Sequence, residues 1–240
     1  MNTIQVTNLQ KTIKKTPIIK DISLNINSGE VVGLLGPNGA GKTTTFYMIC
    51  GLIKPTNGKI TLNNQDITSM PLSLRANLGI GYLPQESSIF KNLSVENNLR
   101  LAVELIHKDK KIIEQEVLKF LNMLNIEPIR NRLGISLSGG ERRRCEIARS
   151  LILNPKFLLL DEPFAGVDPI AVSDIMEIVK KLKSIGIGVL ITDHNVRETL
   201  QICDRAYVMK DGNLLSAGTP KEIYEDELVK NHYLGNDFKV

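Results

Sequence analysis

The chain has 240 residues, of which 42% are hydrophobic and 23% charged, and its formal net charge is +4 at pH 7. This length and composition are those of an ordinary globular protein that buries a substantial core, as one large domain or two lobes. The mild charge and the lack of a basic tail argue against a nucleic-acid partner.

The apolar segments are short, and none approaches the roughly 18 residues that a membrane span needs. Polar residues interrupt the beginning of the chain, unlike a signal peptide. The three cysteines, Cys50, Cys145 and Cys203, are far apart and form no CxxC pair. This spacing argues against a zinc site or a disulfide framework. We therefore expect a cytoplasmic protein with free thiols.

The part of the chain before about residue 86 predicts mainly strands. Residues 4–6 and 22–26 alternate between apolar and polar types, which favours a half-buried antiparallel sheet. Residues 31–35 are apolar apart from Gly33, which indicates a strand buried on both faces. Further strands are predicted over residues 59–62 and 79–83. Gln85 follows the last of these strands, from which its amide could reach a metal ion or a water molecule.

A glycine-rich loop lies between strand 31–35 and a helix predicted over residues 42–50. Its sequence, Gly-Pro-Asn-Gly-Ala-Gly-Lys-Thr from residue 36, matches the P-loop pattern GxxxxGK[ST]. The glycines let successive backbone N–H groups turn toward phosphates. Lys42 supplies a positive charge, and the Thr43 hydroxyl is a suitable ligand for Mg²⁺. We predict that ATP and Mg²⁺ bind at Gly36, Pro37, Asn38, Gly39, Ala40, Gly41, Lys42, Thr43 and Thr44.

The character of the chain changes between about residues 86 and 153. Residues 93–106 and 112–124 carry apolar side chains at helical spacing, which predicts a helical insert. Near its end stands a second glycine-rich segment, Leu-Ser-Gly-Gly-Glu at residues 137–141, before a helix predicted over residues 142–153.

This second segment has two interpretations. Free N–H groups at a helix start can bind an anion, and the dipole of the helix adds to the attraction. Alternatively, Ser138 and Glu141 form only a capping box. Arg142, Arg143 and Arg144 add positive charge near this site; the alternative for Arg144, together with Arg149, is a solvated face. Because no lysine accompanies the glycines, the segment would grip a phosphate only together with a second surface.

Strands and helices alternate after residue 153, which predicts a mostly parallel sheet. The strands are predicted over residues 157–160 and 188–192, and the helices over residues 171–185 and 196–202. Asp161 and Glu162 end the first of these strands, where ligands of such sheets bind. Asp161 would hold the Mg²⁺ shell, and Glu162 would accept a proton from the attacking water or polarise it. His194 follows the strand ending at Thr192 and could donate to the γ phosphate.

Together and in this order, these motifs resemble the ATPase subunits of ABC transporters over about residues 3–220. The resemblance identifies residues 36–44 as the P-loop, Gln85 as the Q-loop residue and residues 137–141 as the signature. Residues 157–161 correspond to the Walker B strand, residues 165–168 to the D-loop and His194 to the switch histidine. It implies an α/β P-loop NTPase fold with a RecA-like core, an N-terminal antiparallel β subdomain and an inserted α-helical subdomain.

The resemblance also implies a domain plan and an assembly. Residues 1–240 would form one domain, with a core lobe (1–86 and 154–240) and a helical subdomain (87–153). A second copy would bind head to tail. Each ATP would then lie between the P-loop of one copy and the signature of the other, with Asp168 of the D-loop nearby. The nucleotide contacts of the signature would come from Ser138, Gly139, Gly140 and Glu141. Membrane-embedded permease subunits would contact the helical subdomain, and this chain would lie on the cytoplasmic face of the inner membrane.

Several segments resemble the ATPases of lipopolysaccharide exporters within this family: residues 82–90, 139–144, 161–169, 192–199 and 233–238. Two alternatives are an ATPase of branched-chain amino-acid import and a soluble ABC protein that acts as a nucleotide-gated binding module. The importers generally differ in the D-loop region. The soluble proteins usually join two cassettes or insert coiled coils, and this chain has neither.

Two further residues stand at positions of interest in the family. Ile13 occupies the place of an aromatic residue that usually stacks on adenine, and an isoleucine can pack on the base without stacking. We therefore expect weaker ATP binding than in an Ile13→Tyr variant. Phe90 follows Gln85 and either contacts the membrane partner or packs into the helical lobe.

Overall fold

The computed structural model describes residues 1–235 of the chain. The strands of this part are β1 (Thr3–Ile13), β2 (Thr16–Asn27), β3 (Val31–Leu35), β4 (Asn57–Leu62), β5 (Gln65–Asp66), β6 (Ile80–Leu83), β7 (Phe157–Asp161), β8 (Gly188–Thr192), β9 (Arg205–Lys210) and β10 (Asn213–Gly218). They form one sheet in the order β5-β4-β1-β2-β10-β9-β3-β8-β7-β6.

The sheet has an antiparallel end and a parallel end. Strands β1, β2, β4 and β5 pair antiparallel at one end, and Ile4 and Val6 of β1 point into the core while their neighbours do not. Strands β9, β3, β8, β7 and β6 pair parallel, and β3, β7 and β8 are buried along their whole length. Parallel strands are covered on both faces, which explains their continuous apolar sequences.

Helices cover the two faces of this sheet. They are α1 (Lys42–Cys50), α2 (Leu72–Asn77), α3 (Val95–Glu104), α4 (Lys110–Met123), α5 (Gly139–Leu151), α6 (Pro169–Ser184), α7 (Val196–Ile202), α8 (Pro220–Glu225) and the single turn α9 (Glu227–Val229). Helices α3, α4 and α5 pack on one another within residues 87–153. Within residues 1–235, none of the helices combines the length and the apolar character that a membrane crossing requires.

Strand β7 separates two large apolar clusters. Phe157 and Leu159 belong to the cluster that contains Phe46 of α1, whereas Leu158 and Leu160 belong to the cluster formed with α3 to α6. Successive side chains of a strand point to opposite faces, so β7 joins both clusters. By the same alternation Asp161, at the end of β7, shares the face of Leu159 and α1.

The predicted α/β class with a mostly parallel sheet is confirmed, with differences at several boundaries. Strands β1 and β2 are longer than predicted. The register of β1 shifts after Val6, and Asn8 has a positive φ, so the alternation seen in residues 4–6 does not continue along the strand. Helix α5 begins at Gly139 rather than at residue 142, because Ser138 is its N-cap. Residues 236–238 of the tail resemblance lie outside the described residues.

Candidate active site

The P-loop connects β3 to α1 and leaves the start of that helix bare. Gly41 is the N-cap residue with φ 99°, and no side chain caps the helix. At Gly36, φ is 142° and an added Cβ would overlap the carbonyl oxygen of Met209. Only glycine fits both positions without strain. The free N–H groups at this helix start form a site for an anion.

Lys42 is held inside this loop. Its ammonium donates to the carbonyl oxygens of Gly36, at 2.6 Å, and Pro37, at 3.0 Å. Burial lowers the pKa of Lys42, and the negative charge of Glu162 partly restores it. The cation is therefore positioned at the loop and is poorly compensated there, which suits the binding of a phosphate.

A cavity of about 590 Å³ opens over the P-loop, a size typical of sites for small ligands. Its lining consists of Ile18, Asn38, Gly39, Ala40, Gly41, Lys42, Thr43, Thr44 and His194. Ile13, the residue expected beside adenine, is not part of this lining. It is exposed at the end of β1, where it pairs with Thr16 across the turn.

Glu162 brings three of the predicted site residues together. Its Oε2 accepts a hydrogen bond from the Gln85 amide at 2.7 Å, and its Oε1 lies 2.8 Å from Nε2 of His194. The backbone of Glu162 has φ 45°, in the left-handed region. Such strain costs on the order of 1–3 kcal/mol and concentrates at functional sites. The glutamate is therefore held in a defined position between the Q-loop and the switch histidine.

Asp161 lies beside this group with its side chain buried, at 2% exposure. Burial raises the pKa of its carboxyl, and the neighbouring charge of Glu162 acts in the same direction. No cluster of three His, Cys, Asp or Glu side chains that could bind a metal occurs in the described residues. A cation here would take few protein ligands and complete its shell with phosphate oxygens and water, as Mg²⁺ does. The oxygen donors of Thr43, Asp161 and Gln85 fit that chemistry.

Asp193 has a structural role that sequence reasoning missed. Its carboxylate accepts hydrogen bonds from the backbone N–H groups of Phe164, at 2.9 Å, and Asn195, at 2.8 Å. Burial raises the pKa of this carboxyl, whereas the two N–H groups oppose the shift. Asp193 thereby ties the segment after Glu162 to the loop that carries His194. The sequence signal was only its position next to that histidine.

The signature begins α5 with the predicted capping box. The Ser138 hydroxyl accepts from the Glu141 N–H at 3.3 Å, and the Glu141 carboxylate accepts from the Ser138 N–H at 2.8 Å. Arg132 pairs with Glu141 at 2.7 Å. The pKa of Glu141 is lowered even though burial opposes this, because Ser138 and Arg132 stabilise its charged form. Gly139 and Gly140 lie within the first turn of the helix.

The signature does not reach the P-loop cavity of its own chain. Gly139 instead lines a separate cavity of about 250 Å³ with Gln85 and Glu162. Asp168 of the D-loop is the N-cap of α6 and accepts from the N–H of Ala171 at 3.0 Å. An added Cβ at Gly140 would overlap the Cβ of Ala171. The glycine at this position therefore permits close packing of the signature helix against α6.

The arginines after the signature do not form a solvated cluster. Arg143 is buried and pairs with Glu146 at 3.3 Å. It also donates to the carbonyl oxygens of Pro84, at 2.7 Å, and Asp161, at 3.1 Å. Arg144 pairs with Asp174 on α6. Arg143 therefore lies beside the signature, where it lines the same cavity as Gly139, and its guanidinium is bonded to the segment before Gln85 and to the end of β7.

Phe90 lies at the surface of the helical lobe. The residue is 45% exposed and the guanidinium of Arg149 lies 4.8 Å from the ring centroid. The side chain of Asn98 binds both the N–H and the carbonyl of Phe90, which fixes the loop. A groove of about 230 Å³ is nearby, lined by Tyr82, Leu83, Ser88, Ala102, Leu105, Glu146, Arg149, Ser150 and Leu153. The ring is thus presented at the surface and is not enclosed by the lobe.

Comparisons with known proteins agree with this site. Residues 19–165 match the family model described as ABC transporter. The chain is 55% identical over 242 residues to the lipopolysaccharide export system ATP-binding protein LptB of Escherichia coli K12, with full coverage of both chains. Its structure is similar to MJ1267 in the ADP conformation, an ATP-binding cassette of an ABC transporter, at TM-score 0.89, 30% identity and coverage of 98% and 100%. It is also similar to the dimeric cassette MJ0796 at TM-score 0.79, 28% identity and coverage of 90% and 98%.

Proposed function

The chain belongs to the ABC transporter family, and we propose that it is the ATP-hydrolysing subunit of a lipopolysaccharide exporter. The observation that carries the activity is the contact of Glu162 with both Gln85 and His194, beside a P-loop that holds its own lysine. Similarity along the whole chain to the LptB of Escherichia coli supports the cargo.

In this proposal each residue of the site has a distinct role, which the observed contacts support. The free N–H groups at the start of α1 bind the phosphates, and Lys42 exchanges the carbonyls of Gly36 and Pro37 for phosphate oxygens. Glu162 accepts a proton from the attacking water, while Gln85 and His194 hold its two oxygens in place. His194 also lines the P-loop cavity, where its ring can donate to the terminal phosphate.

Thr43, Asp161 and Gln85 would hold Mg²⁺ in this site. When bound, the ion neutralises negative charge that develops on the phosphate oxygens. Thr43 lies in the first turn of α1. Asp161 is the last residue of β7 and lies on the face of that strand that α1 covers. Both oxygen donors therefore come from rigid elements of the core.

A second copy completes the site in this proposal. The signature residues Ser138 and Gly140 lie outside the P-loop cavity of their own chain, and only free N–H groups remain for a ligand at the start of α5. Binding head to tail would place these groups on the ATP held by Lys42 of the other copy. The similarity to the dimeric cassette MJ0796 supports this arrangement.

The transmembrane subunits would bind at the groove beside Phe90, on the cytoplasmic face of the inner membrane. An exposed aromatic ring that is backed by a cation and held by a fixed loop is a suitable anchor for a helix of a partner. The glutamine at position 85 lies a few residues earlier on the same loop. Movement of the partner could therefore reach the hydrolytic residues directly.

Affinity purification of the tagged chain from detergent-solubilised membranes tests this function. We expect membrane subunits to co-purify, and we expect the reconstituted complex to hydrolyse ATP faster in proteoliposomes that contain lipopolysaccharide. Recovery of amino-acid permease subunits, or stimulation by branched-chain amino acids instead, would refute the proposed cargo.

Phe90→Ala tests the docking site in the same experiment. We expect it to reduce recovery of the membrane subunits while ATP binding by the isolated chain is unchanged. Leu74→Ala is a matched control, since Leu74 is an apolar residue of α2 that is 50% exposed. Equal losses for both variants would contradict a specific role for Phe90.

A further inference from the structure

Glu146 is a buried carboxylate of α5 that the proposed mechanism does not use. The residue is 3% exposed, and it lines both the cavity beside Glu162 and the groove beside Phe90. Burying a charge is costly unless the charge is paired and hydrogen-bonded, so its partners must compensate for the lost hydration. The carboxylate therefore lies between the hydrolytic residues and the proposed docking site, in a place that depends on its partners.

Both oxygens of this carboxylate have partners. Oε1 accepts hydrogen bonds from the Ser87 hydroxyl and from the backbone N–H of Ser88, each at 2.8 Å. Oε2 lies 3.3 Å from Nη1 of Arg143, on the same helix. Because the two donors to Oε1 belong to the loop after β6 (residues 84–90), Glu146 ties this loop to the signature helix.

The signature helix holds the loop at two further points. Arg143 donates to the carbonyl oxygen of Pro84 at 2.7 Å, and Arg149 donates to that of Ser88 at 2.6 Å. Gln85 lies between these attachments, and its amide donates to the catalytic glutamate at 2.7 Å. Side chains of α5 thus fix the loop on both sides of the glutamine.

The loop has little else to restrict it at this point. It has no regular secondary structure here, and Gln85, Ser87 and Ser88 are exposed. Exposed irregular segments are usually the most mobile parts of a fold. A displacement of about 1 Å at a reacting group can lower a rate by about 100-fold. The bonds to Glu146 therefore limit the positions that the Gln85 amide can take.

We propose that Glu146 is a positioning residue that holds Gln85 against Glu162. By fixing the loop on α5, it makes the glutamine and the signature move as one unit. The inference rests on the proposed ATPase function. Glu146 touches neither the nucleotide nor the attacking water in this proposal and acts through Gln85 alone.

The test measures kcat and KM for ATP with the full chain, and combines each substitution with Gln85→Ala in a double-mutant cycle. Glu146→Gln keeps the size of the side chain and removes the charge that the loop donors bind. Ser87→Ala removes only one of the two donors. The cycle separates an effect through the glutamine from a general loss of stability, which would act equally in both backgrounds.

Two matched controls lie elsewhere in the chain. Glu96→Gln neutralises a carboxylate of the helical lobe that pairs with Arg100 and Arg130. Ser216→Ala removes a hydroxyl of β10 that donates to the carboxylate of Asp226 at 2.6 Å. Both controls should leave kcat and KM unchanged, because neither residue bonds with the loop after β6.

We expect Glu146→Gln to lower kcat by about 10-fold and Ser87→Ala by about 3-fold, because each weakens hydrogen bonds to a charged group. KM should stay within about 2-fold of the unsubstituted value, since the P-loop is unaffected. In the Gln85→Ala background neither substitution should lower kcat further, because the residue through which they act is gone.

An unchanged kcat in Glu146→Gln would overturn the proposal. So would a loss that persists in full in the Gln85→Ala background. If Glu146→Gln has no cooperative thermal transition, Ser87→Ala decides by the same cycle. If Gln85→Ala alone has no measurable turnover, hydrogen exchange of residues 84–88 decides. Faster exchange in Glu146→Gln than in Glu96→Gln supports the proposal, and equal exchange refutes it.

The same measurements distinguish failure of this inference from failure of the proposed function. No ATP hydrolysis by the unsubstituted chain would refute the proposed function and, with it, this inference. Hydrolysis by the unsubstituted chain, with equal losses in the two backgrounds of the cycle, would refute this inference alone.

Discussion

The P-loop and the signature are both glycine-rich helix starts, yet they are built differently. Helix α1 begins at a left-handed glycine with no side-chain cap and has Lys42 beside its free N–H groups. Helix α5 begins at Ser138, and the capping box with Glu141 already satisfies part of its backbone. The first loop is an anion site with its own cation, whereas the second carries an acid that Arg132 neutralises.

Because of this difference, the two loops have different roles in the proposed binding of ATP. The P-loop has the N–H groups and the cation that a triphosphate needs, so in our proposal one chain binds ATP alone. The signature offers only the N–H groups that its cap leaves free, so in the same proposal it contributes after ATP is bound to the other copy. Arg143 ties the signature helix to the rest of the site, because it lies on α5 and donates to the carbonyls of Pro84, just before Gln85, and of Asp161, at the end of β7.

Replacing Arg143 should have the largest effect of the changes considered, and the effect is on the stability of the chain. Arg143→Met leaves Glu146 as an unpaired buried charge, and we expect it to lower the free energy of unfolding by about 3–5 kcal/mol. Chemical denaturation of the isolated chain measures the loss. Arg144→Met is the matched control, since its pair with Asp174 is at the surface and should be worth about 0–1 kcal/mol. Similar losses for both arginines would contradict the link.

Removal of the P-loop cation should have the next largest effect. We expect Lys42→Met to weaken ATP binding by about 10- to 150-fold, because hydrogen bonds to charged groups contribute about 1.5–3 kcal/mol. Calorimetry on the monomeric chain gives the affinity. Ser138→Ala should leave the same affinity unchanged. If Ser138→Ala weakened ATP binding by the monomer as much as Lys42→Met, the contrast between the loops would be wrong.

The close approach of the signature helix to α6 gives a third test. A methyl group at Gly140 would overlap Ala171, and we expect Gly140→Ala to lower the free energy of unfolding by about 1–3 kcal/mol. The double variant Gly140→Ala with Ala171→Gly should recover part of that loss in thermal denaturation. No recovery would show that the overlap is not the cause.

The signature cap should give the smallest effect on stability. Ser138→Ala should cost about 1 kcal/mol in unfolding free energy, the usual value of a helix N-cap. Thr219→Ala is the control, because Thr219 and Glu222 form the same capping box on α8. Both variants should lose similar stability, but only Ser138→Ala should reduce the ATPase rate of the dimer. If Thr219→Ala reduced the ATPase rate as much as Ser138→Ala, the loss of stability from a missing cap would account for the effect, and the signature would have no separate role.

Much of the candidate site could be predicted from local sequence. The P-loop, the helix of residues 42–50 and the strand of residues 188–192 depend on short-range patterns, and the structure reproduces them. The arginine run could not be interpreted in the same way. Arg143 and Arg144 are adjacent in sequence, yet one is buried between loops and the other pairs at the surface. Their difference arises from which way each points from α5.

The sequence by itself determined the order of the motifs and the chemistry of each, because glycine conformations, caps and buried strands follow from neighbouring residues. The tertiary structure alone decided which groups meet. Glu162 joins Gln85 and His194, and Asp193 ties two loops, only because the parallel strands end at one edge of the sheet. Contacts between residues a hundred positions apart depend on the packing of whole elements, which local patterns do not encode.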